Sequence, residues 1–363
     1  MKEFNVIIIG GGAAGLYVAG LLGKEVNGVC LIDSKEDLLN VSFHTLGSFM
    51  DRNRFELSEK IIAASITECV LYSRHFRTIK KGTAYILDKK QLHQELLERA
   101  LAHRVVIKPK TRIKNFKKAE DGTVDCLLDT SGNEYRGKIF VDASGITGVL
   151  SRPLGLQDQK FTIATGLEYN VKYSGPQNQA HLFFGKEFSG GYGWIFPLKS
   201  ERAIWGYGTF DPKKITHLKE VLDRLISSAP INTLVKKDNE KLEGGTIPIT
   251  KPKNRFVWKN VVCVGDSVSQ VHPLIGEGYR FVLESGKLAA PHILNALKKN
   301  DMGLLTGYEV DWNKKFFASY RRGRLLQRAL GISNRSDIIC DLILLSLSRL
   351  RDNVFIRFLS GGV

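Results

Sequence analysis

Residues 5–34, NVIIIGGGAAGLYVAGLLGKEVNGVCLIDS, decide the fold of this chain. The apolar run at 6–9 has no polar alternation, which predicts a strand that is buried on both faces. It leads directly into the glycine turn GGGAAG at 10–15, and a helical pattern follows through Leu22. A second apolar run at 29–32 ends at Asp33. This order predicts a strand–helix–strand unit of the Rossmann type.

The glycine turn meets the requirements of a dinucleotide site. Gly10 permits the tight turn, Gly12 lets a pyrophosphate approach the backbone, and Gly15 lets the helix pack on the strand. The helix start offers free N–H groups to phosphates, and Asp33 would accept hydrogen bonds from ribose hydroxyls. The residues expected at this half of the cofactor are Gly10, Gly12, Ala13, Ala14, Gly15, Asp33, Ser34 and Lys35. This stretch alone does not distinguish NAD from FAD, and a turn without a ligand is the alternative.

The composition is that of a globular protein with a large basic excess. A chain of 363 residues can form two interleaved domains. Its formal net charge of +16 favours an acidic ligand, an anionic membrane surface or nucleic acid as a partner. We expect no nucleic acid, because zinc-finger spacing, RNP-type aromatic motifs and helix-turn-helix signatures are missing from the sequence.

The cysteines and the apolar segments indicate the compartment. Five scattered cysteines form no CxxC pair, and Cys30, Cys126 and Cys263 lie in apolar runs, which predicts buried reduced thiols. A strand begins by the fourth or fifth residue, leaving no room for a signal peptide. No segment has the roughly 18 uncharged apolar residues of a membrane-spanning helix. We therefore expect a cytoplasmic protein whose only membrane contact is peripheral.

The next part of the chain alternates irregular and periodic stretches. Residues 35–55 are irregular, and they contain candidates to face a cofactor ring, unless they form a plain solvent loop: Phe43, His44, Thr45 and Gly47. We predict a helix at 57–68, a strand at 69–78 and an amphipathic helix at 90–101 capped by Asp88. Lys89 and Lys90, at the start of that helix, are candidates for a second contact to the dinucleotide or are simply solvated.

Short strands are predicted at 105–107, 113–117, 124–128 and 134–136. A buried strand at 138–141 then ends at Asp142, and Gly145 follows. We expect this turn to approach the cofactor as the first one does. Glycine- and aromatic-rich runs between 161 and 210 predict an antiparallel sheet. Its aromatic side chains form either plain core or a pocket for an apolar substrate. A helix at 218–227 and a strand at 245–249 complete this part.

Residues 257–286, VWKNVVCVGDSVSQVHPLIGEGYRFVLESG, carry the second informative motif. A strand at 260–264 ends at Gly265-Asp266, a proline loop follows, and Gly276-Glu277-Gly278 opens a helix. Asp266 can accept from a ribityl hydroxyl, and the helix start can stabilise the electron-rich N1–C2=O edge of a reduced isoalloxazine. This combination favours FAD over NAD.

GGGAAG at 10–15, DASG at 142–145 and VGDSVSQVHPLIGEGYRFVLESG at 264–286 resemble the geranylgeranyl reductase family of FAD-dependent enzymes. That family belongs to the para-hydroxybenzoate-hydroxylase-like superfamily, together with monooxygenases and halogenases. The segment GYGWIFPLK at 191–199 is similar to the family's substrate-sheet motif. The resemblance implies that Gly10, Gly12, Gly15 and Asp33 hold the ADP half of FAD, that Asp266 holds the ribityl–phosphate side, and that Lys89 replaces a cofactor-contacting arginine. It places the flavin ring at Pro273, Gly276, Glu277 and Gly278. Asp142, Gly145 and Gly265 are the remaining residues expected at the cofactor.

Some features depart from that family. Archaeal-type reductases carry a cysteine before a glycine where this chain has Leu46-Gly47, and no second glycine motif of the NAD(P) type is present. Any NAD(P)H would therefore act as a transient electron donor. After residue 302 the chain is basic and helical. It is expected either to cap the substrate pocket or to contact anionic lipid.

The predicted fold class is α/β, with a Rossmann-type FAD-binding domain (1–160 and 255–300), an antiparallel-sheet substrate domain (161–254) and a C-terminal helical cap (301–363). The predicted function is FAD-dependent reduction of an alkene in an apolar, isoprenoid or lipid-like substrate. The alternatives are a flavin monooxygenase or halogenase-like enzyme that uses O₂, and a non-catalytic prenyl-lipid escort. The catalytic candidates are His44, Tyr192 and Trp194. We predict no metal site, and the oligomeric state stays open.

Overall fold

The computed structural model of the chain describes residues 3–158, 162–238, 241–250 and 252–360. The strands are β1 (Phe4–Ile9), β2 (Val29–Ile32), β3 (Thr45–Ser48), β4 (Ile62–Tyr72), β5 (Arg77–Asp88), β6 (Val106–Lys108), β7 (Ile113–Lys118), β8 (Val124–Asp129), β9 (Glu134–Asp142), β10 (Ile163–Tyr173), β11 (Gln179–Phe183), β12 (Gly191–Leu198), β13 (Arg202–Thr209), β14 (Val235–Lys236), β15 (Leu242–Pro248), β16 (Val257–Trp258) and β17 (Val261–Cys263). The α-helices are α1 (Ala13–Glu25), α2 (Lys89–Ala102), α3 (Pro212–Ile215), α4 (Leu218–Leu225), α5 (Ile231–Leu234), α6 (Tyr279–Lys299), α7 (Gly307–Ser333), α8 (Asp337–Ser348) and α9 (Asp352–Leu359).

The first sheet has the order β16–β17–β9–β1–β2–β6, and β8 and β7 extend it from β9. Strands β17, β9, β1, β2 and β6 are mutually parallel. β1 is buried apart from the half-buried Asn5, because α1 and its neighbours cover the sheet, and α1 packs against both α2 and α6. The predicted strand–helix–strand unit is confirmed. The two predicted cofactor motifs follow β1 and β17, which flank β9 on the same sheet.

The second sheet has the order β14–β10–β13–β12–β11–β4–β5–β3, and β15 pairs with β10 on the same edge as β14, opposite β13. Its pairs are antiparallel except for β11 with β4. The helix predicted at 57–68 is wrong, because most of this stretch belongs to β4, which pairs with β5 and β11. The pairing on both edges overrides the local helical preference of an alanine- and glutamate-containing run. Strands β3–β5, from the segment assigned to the first domain, thus lie in the second sheet.

The C-terminal helices pack on α6 and on the second sheet. α7 packs against α6, while α8 and α9 pack against β5. The buried Lys80 of β5 donates to the carbonyl of Ser348 at 2.9 Å and to that of Leu350, which fixes the α8–α9 junction. Among the described residues, no helix combines the length and hydropathy needed to cross a bilayer. The five cysteines are free thiols, and Cys30, Cys126 and Cys263 are buried as predicted.

Candidate active site

A cavity of about 380 Å³, here called the main cavity, lies where the two sheets meet α7. It is lined by the start of α1, by the turn after β9, by the 273–279 loop and by the glycine-rich face of the second sheet. The two cofactor motifs, separated by about 250 residues in the sequence, therefore face the same space. The N-termini of α1 and α6 are both at its wall, and neither has a side-chain cap. Free N–H groups at such helix starts favour an anionic ligand.

The three turn glycines have different surroundings. Gly10 has φ of 107°, and a Cβ there would lie 2.3 Å from the carbonyl oxygen of Ala143. A Cβ on Gly15 would lie 1.8 Å from the carbonyl oxygen of Gly10. A Cβ on Gly12 would have no described atom within 4 Å, and Gly12 lines the cavity with Ala13 and Ala14. Two glycines thus allow the turn to pack, and the third leaves space for a ligand.

The segment after β2 lies beyond the cavity lining. The Asp33 carboxylate accepts from the backbone N–H of Gly11 at 2.5 Å and from that of Lys35 at 2.6 Å. Ser34 and Lys35 are exposed, and Lys35 Nζ donates to the carbonyl of Asn40 at 2.8 Å. Asp33 thus fixes the glycine turn, and each of its oxygens retains acceptor capacity toward a ribose.

The turn after β9 is organised by Asp142, which is fully buried. Its carboxylate accepts from the N–H and hydroxyl of Ser144 and from the backbone N–H groups of Leu150 and Ser151, at 2.6–3.0 Å. These four bonds occupy the carboxylate, so Asp142 does not reach the cavity. Instead it holds Ala143 and Gly145 at the cavity wall.

Asp266 and Lys89 bring opposite charges to the cavity. Burial raises the pKa of Asp266 to about 6, although the nearby Lys89 opposes the shift. Lys89 is 7% exposed, and burial lowers its pKa to about 8. Its ammonium lies 5.6 Å from the ring centre of Phe43 and 5.4 Å from that of Tyr279. A ligand that carries a phosphate would stabilise the charged form of this lysine.

The 273–278 loop is held in place by Glu277. One carboxylate oxygen accepts from the Ser48 hydroxyl at 2.6 Å and from the N–H of Phe49 at 2.9 Å, while the other pairs with Arg280 at 2.9 Å. Glu277 thereby joins the end of β3 to the start of α6. Pro273, Gly276 and Gly278 line the cavity, and Gly265, with φ of 68°, turns the chain just before Asp266. This geometry places the backbone, and not the Glu277 carboxylate, toward a ligand.

The floor of the cavity consists of glycines. In the ladder, Gly166 of β10 lies between Gly245 of β15 and Gly208 of β13. Side chains from elsewhere cover them: a Cβ on Gly245 would lie 2.5 Å from the Phe43 ring, and one on Gly166 or Gly208 would lie 3.2 Å from the Trp194 indole. The missing side chains leave room for the rings of Phe43 and Trp194 to lie on this face of the sheet.

The three catalytic candidates have different positions. Trp194 lines the cavity and stacks on Phe196 at 6.2 Å between ring centres. Tyr192 also lines it, but its hydroxyl donates to the carbonyl of Ile275 at 2.6 Å, and burial raises its pKa. His44 does not line it, because its side chain is 52% exposed and pairs with Glu243. The structure thus brings Tyr192 and Trp194, but not His44, to the main cavity.

Sequence reasoning missed Glu168, an acid on the cavity wall. Glu168 is 5% exposed, and its Oε1 has no hydrogen-bond partner among the described residues. Burial and the charge of Glu243 raise its pKa to about 8. Alternation along β10 places Glu168 on the same face as the exposed Asn170 and Lys172, a pattern that is typical of a solvated side chain. No signal in the sequence distinguished it.

A second cavity of about 350 Å³ lies between the second sheet and α7–α9. Its lining is almost wholly apolar and includes Phe184, Ile343, Leu347, Ile356 and Leu359. It shares part of its wall with the main cavity: Gly47, Tyr192, Phe196, Leu274, Ile275, Glu277 and Leu330. The main cavity is therefore continued by an aliphatic space beneath the C-terminal helices.

The residues at the main cavity fit FAD. Open space above Gly12 at an uncapped helix start suits a pyrophosphate, and a second uncapped helix start, at 278–279, suits the electron-rich edge of a flavin ring. Lys89 adds a cation to the lining of the same cavity, and the glycine floor offers a flat surface. No group of three or more metal-ligating side chains occurs in the part of the chain that the structure describes.

Comparison with known proteins gives consistent results. The chain is 25% identical to the digeranylgeranylglycerophospholipid reductase of Methanocaldococcus jannaschii, over 98% of this chain and 95% of that protein. Its fold matches a geranylgeranyl bacteriochlorophyll reductase-like protein from Thermoplasma acidophilum with a TM-score of 0.87 and 20% identity, over 98% and 96% of the two chains. The flavin-dependent brominase Bmp2 matches with a TM-score of 0.74 and 16% identity, over 99% and 94%.

These similarities confirm the predicted resemblance to the geranylgeranyl reductases and the predicted fold class, a Rossmann-type flavoprotein fold with a second, largely antiparallel sheet and C-terminal helices. A family model described as lycopene cyclase protein matches residues 5–363. Because this match spans nearly the whole length, the chain belongs to that family.

Proposed function

We propose that this chain is an FAD-dependent oxidoreductase that reduces carbon–carbon double bonds in an isoprenoid lipid. The observation that carries the proposal is the pair of adjoining cavities. The main cavity combines two uncapped helix starts with a glycine floor. The second cavity can accommodate a long hydrocarbon chain, because its lining is almost wholly aliphatic and aromatic. The relatives named digeranylgeranylglycerophospholipid reductase support this substrate class.

The residues that would hold FAD lie at three places. Gly12, Ala13 and Ala14 would take the pyrophosphate, Lys89 and Asp266 the ribityl–phosphate side, and Gly276 to Tyr279 the edge of the ring. Reduced FAD, when bound, supplies a hydride from N5 to an alkene carbon. The chain orients the alkene over the glycine floor between Phe43 and Trp194. Tyr192 and Phe196, on the wall that the two cavities share, would position the isoprenoid tail.

A single-turnover experiment tests this proposal. The purified protein, saturated with FAD and reduced anaerobically with dithionite, is mixed with digeranylgeranylglyceryl phosphate in detergent micelles. We expect the flavin absorption to return and the product to gain two hydrogens per reduced bond by mass spectrometry. A rearranged product with unchanged hydrogen count would instead indicate cyclase chemistry. Lipid retention without any reaction would indicate an escort.

The same sample separates the oxygen-dependent alternatives. A flavin that is reoxidised only when O₂ enters, with a hydroxylated or halogenated product, would indicate a monooxygenase or halogenase-like enzyme. Replacing dithionite with NADPH or NADH tests whether a pyridine nucleotide is the electron donor, which we propose to dock transiently. Flavin reduction by dithionite but by neither nucleotide would reject that donor.

We also propose that the face of α8 contacts an anionic membrane surface. Five aliphatic side chains of α8 are 37–68% exposed: Ile338, Ile339, Leu342, Ile343 and Leu345. Exposed arginines lie around them at 328, 335, 349 and 351, on a chain of net charge +16. Apolar side chains that are flanked by cations match the interface of an anionic bilayer. The face lies directly over the second cavity, to which Ile343 also contributes.

Vesicle co-sedimentation tests the surface. Wild type should bind vesicles that contain phosphatidylglycerol, and binding should weaken with salt. Leu342→Glu should abolish it, whereas Leu101→Glu on α2, at a side chain of similar exposure, should not. Equal binding of the two variants would reject the proposed face. A dimer that Leu342→Glu makes monomeric, without vesicle binding, would assign the face to a second copy of the chain.

A further inference from the structure

One row across the second sheet brings two acids and an indole together. Glu168 of β10 is paired across the sheet with Glu243 of β15 on one side and with Gly206 of β13 on the other. Gly206 is paired in turn with Trp194 of β12. Cross-strand partners project from the same face of a sheet. Because Gly206 has no side chain, the Trp194 indole extends over it, and a Cβ at Gly206 would lie 2.3 Å from that ring. Glu168 therefore has an acid on one side and an indole on the other.

The surroundings of the two acids shift their pKa values in opposite directions. Burial alone would raise the pKa of Glu243, but bonds from the ring and backbone of His44 overcome this and lower it. Lys241 lies 3.4 Å from the same carboxylate. In the part of the chain that the structure describes, Oε1 of Glu168 has no hydrogen-bond partner, and burial and then the charge of Glu243 raise the Glu168 pKa to about 8. Two neighbouring carboxyls whose environments separate their pKa values are a recurring sign of an acid–base role.

Two charged groups and one indole N–H, from three elements, act on the pKa of Glu168. Glu243 of β15 favours its protonated form, while Lys89 at the start of α2 and the Trp194 N–H on β12 favour the carboxylate. Burial outweighs these last two, so Glu168 carries a proton at neutral pH. The Trp194 N–H is close enough to favour the Glu168 carboxylate, but among the described residues no acceptor meets hydrogen-bond geometry with it.

Three other polar side chains at the main cavity are already bonded. The Tyr192 hydroxyl donates to a carbonyl, the Tyr279 hydroxyl lies 2.9 Å from His93 Nε2, and Glu277 is paired with Arg280. Asp266 and Lys89 line the same cavity, and both are assigned to the cofactor above. Glu168 faces the main cavity, its raised pKa keeps it protonated at neutral pH, and its Oε1 has no hydrogen-bond partner within the described ranges.

We propose that Glu168 is the catalytic acid that donates a proton to the substrate. This inference rests on the proposed alkene reduction. The double bond accepts a hydride from reduced FAD at one carbon, and the Glu168 O–H bond breaks as its proton forms the C–H bond at the other carbon. The product is the saturated bond, oxidised FAD and the Glu168 carboxylate. A proton from solvent restores Glu168, and a two-electron donor restores the flavin.

The test compares Glu168→Gln, Glu168→Asp and Glu243→Gln in the single-turnover experiment described above. Wild-type flavin reoxidation by the lipid should slow as pH rises through about 8. Glu168→Gln should lower the rate about 100-fold at pH 7, within the usual range for loss of a general acid. It should leave FAD content and dithionite reduction unchanged. Glu168→Asp should keep part of the rate. Glu243→Gln should lower the pH at which the rate falls, here called the pH limb, because the charge of Glu243 raises the pKa of Glu168.

Two readouts do not depend on turnover. The infrared C=O band of a protonated carboxylic acid should be present in the purified full-length protein at pH 7 and missing in Glu168→Gln. Wild type should also lose thermal stability relative to Glu168→Gln as pH rises from about 4.5 to about 8. The folded state retains the Glu168 proton over that range and the unfolded state does not, so rising pH favours unfolding.

The outcomes separate the two proposals. A wild type that never reduces the lipid overturns the proposed function and, with it, this role of Glu168. An active wild type with an equally fast Glu168→Gln variant overturns the role of Glu168 alone. Lys89 titrates in the same range, so Lys89→Met at saturating FAD should retain the pH limb. Loss of the limb in Lys89→Met, with its persistence in Glu168→Gln, would assign the limb to the lysine.

Discussion

Two groups of glycines lie in elements that border the main cavity, and they differ in which atoms an added side chain would strike. In the turn after β1, a side chain at Gly10 or Gly15 would strike backbone atoms. On the floor of the second sheet, a side chain at Gly206 or Gly245 would strike Trp194 or Phe43, which can move. Backbone collisions change the fold, whereas collisions with side chains change the shape of the cavity. The glycines of the turn are thus required for folding, whereas those of the sheet determine the shape of the cavity.

Gly15→Ala should have the largest effect, because its Cβ would lie 1.8 Å from a carbonyl oxygen. We expect a loss of at least about 3 kcal/mol in the free energy of unfolding, the upper range for overpacking. Urea denaturation measures it. The matched control is Gly20→Ala in the same helix, where the nearest atom is 3.6 Å away. That variant should be stabilised by about 0.5–1 kcal/mol. Equal effects of the two substitutions would contradict the distinction.

Gly12→Ala tests the glycine that has open space. Its φ of −76° suits alanine, so stability should change by less than about 1 kcal/mol. The added methyl group would occupy the space expected for the pyrophosphate. FAD affinity should fall at least tenfold, about 1.4 kcal/mol, as measured by fluorescence titration. Unchanged affinity would show that the cofactor does not approach this turn.

Gly206→Ala tests the sheet floor. The added Cβ would displace the Trp194 indole, and we expect a loss of about 1 kcal/mol in stability, because a side chain can yield where backbone cannot. Trp194→Phe removes the atoms that collide, so adding it to Gly206→Ala should restore stability. A double-mutant cycle measures that coupling. Additive effects would mean that the two residues do not meet.

His44→Ala should have the smallest effect. The His44 side chain is 52% exposed, and exposed ion pairs contribute less than about 1 kcal/mol. Flavin reoxidation by the lipid should stay within about twofold of wild type, because His44 does not line the main cavity. A loss comparable to that of Glu168→Gln would instead restore His44 as a catalytic candidate.

Local patterns predicted much of the first sheet. The apolar runs of β1, β2 and β17 and the capped helix α2 were predicted within a few residues, and Asp88 caps α2 through a 2.9 Å bond from the Gln91 N–H. Such elements have strong local signals: glycine turns, capping residues and uninterrupted apolar strands. The motif at 264–286 also indicated a flavin from the sequence alone.

The pairing of β3–β5 with the second sheet was not predictable in this way. The run at 57–68 contains alanine, lysine and glutamate, which favour a helix, and its strand partners lie as far away as β11. Contacts between distant segments decide strand formation more strongly than local preference does. Asp142 and Glu277 were predicted to contact the cofactor. In the structure, other protein groups occupy both carboxylates, and those partners are distant in the sequence or set by the folded loop.

The sequence by itself determined the dinucleotide fold, because steric demands on glycine and the burial of apolar strands act over a few residues. It determined the flavin segment for the same reason. Only the tertiary structure decided which side chains meet across the cavity. Glu168 has the alternation pattern of a solvated residue, yet α2, β15 and the Trp194 indole close over it. Burial and neighbouring charge, which set protonation, depend on residues distant in the chain.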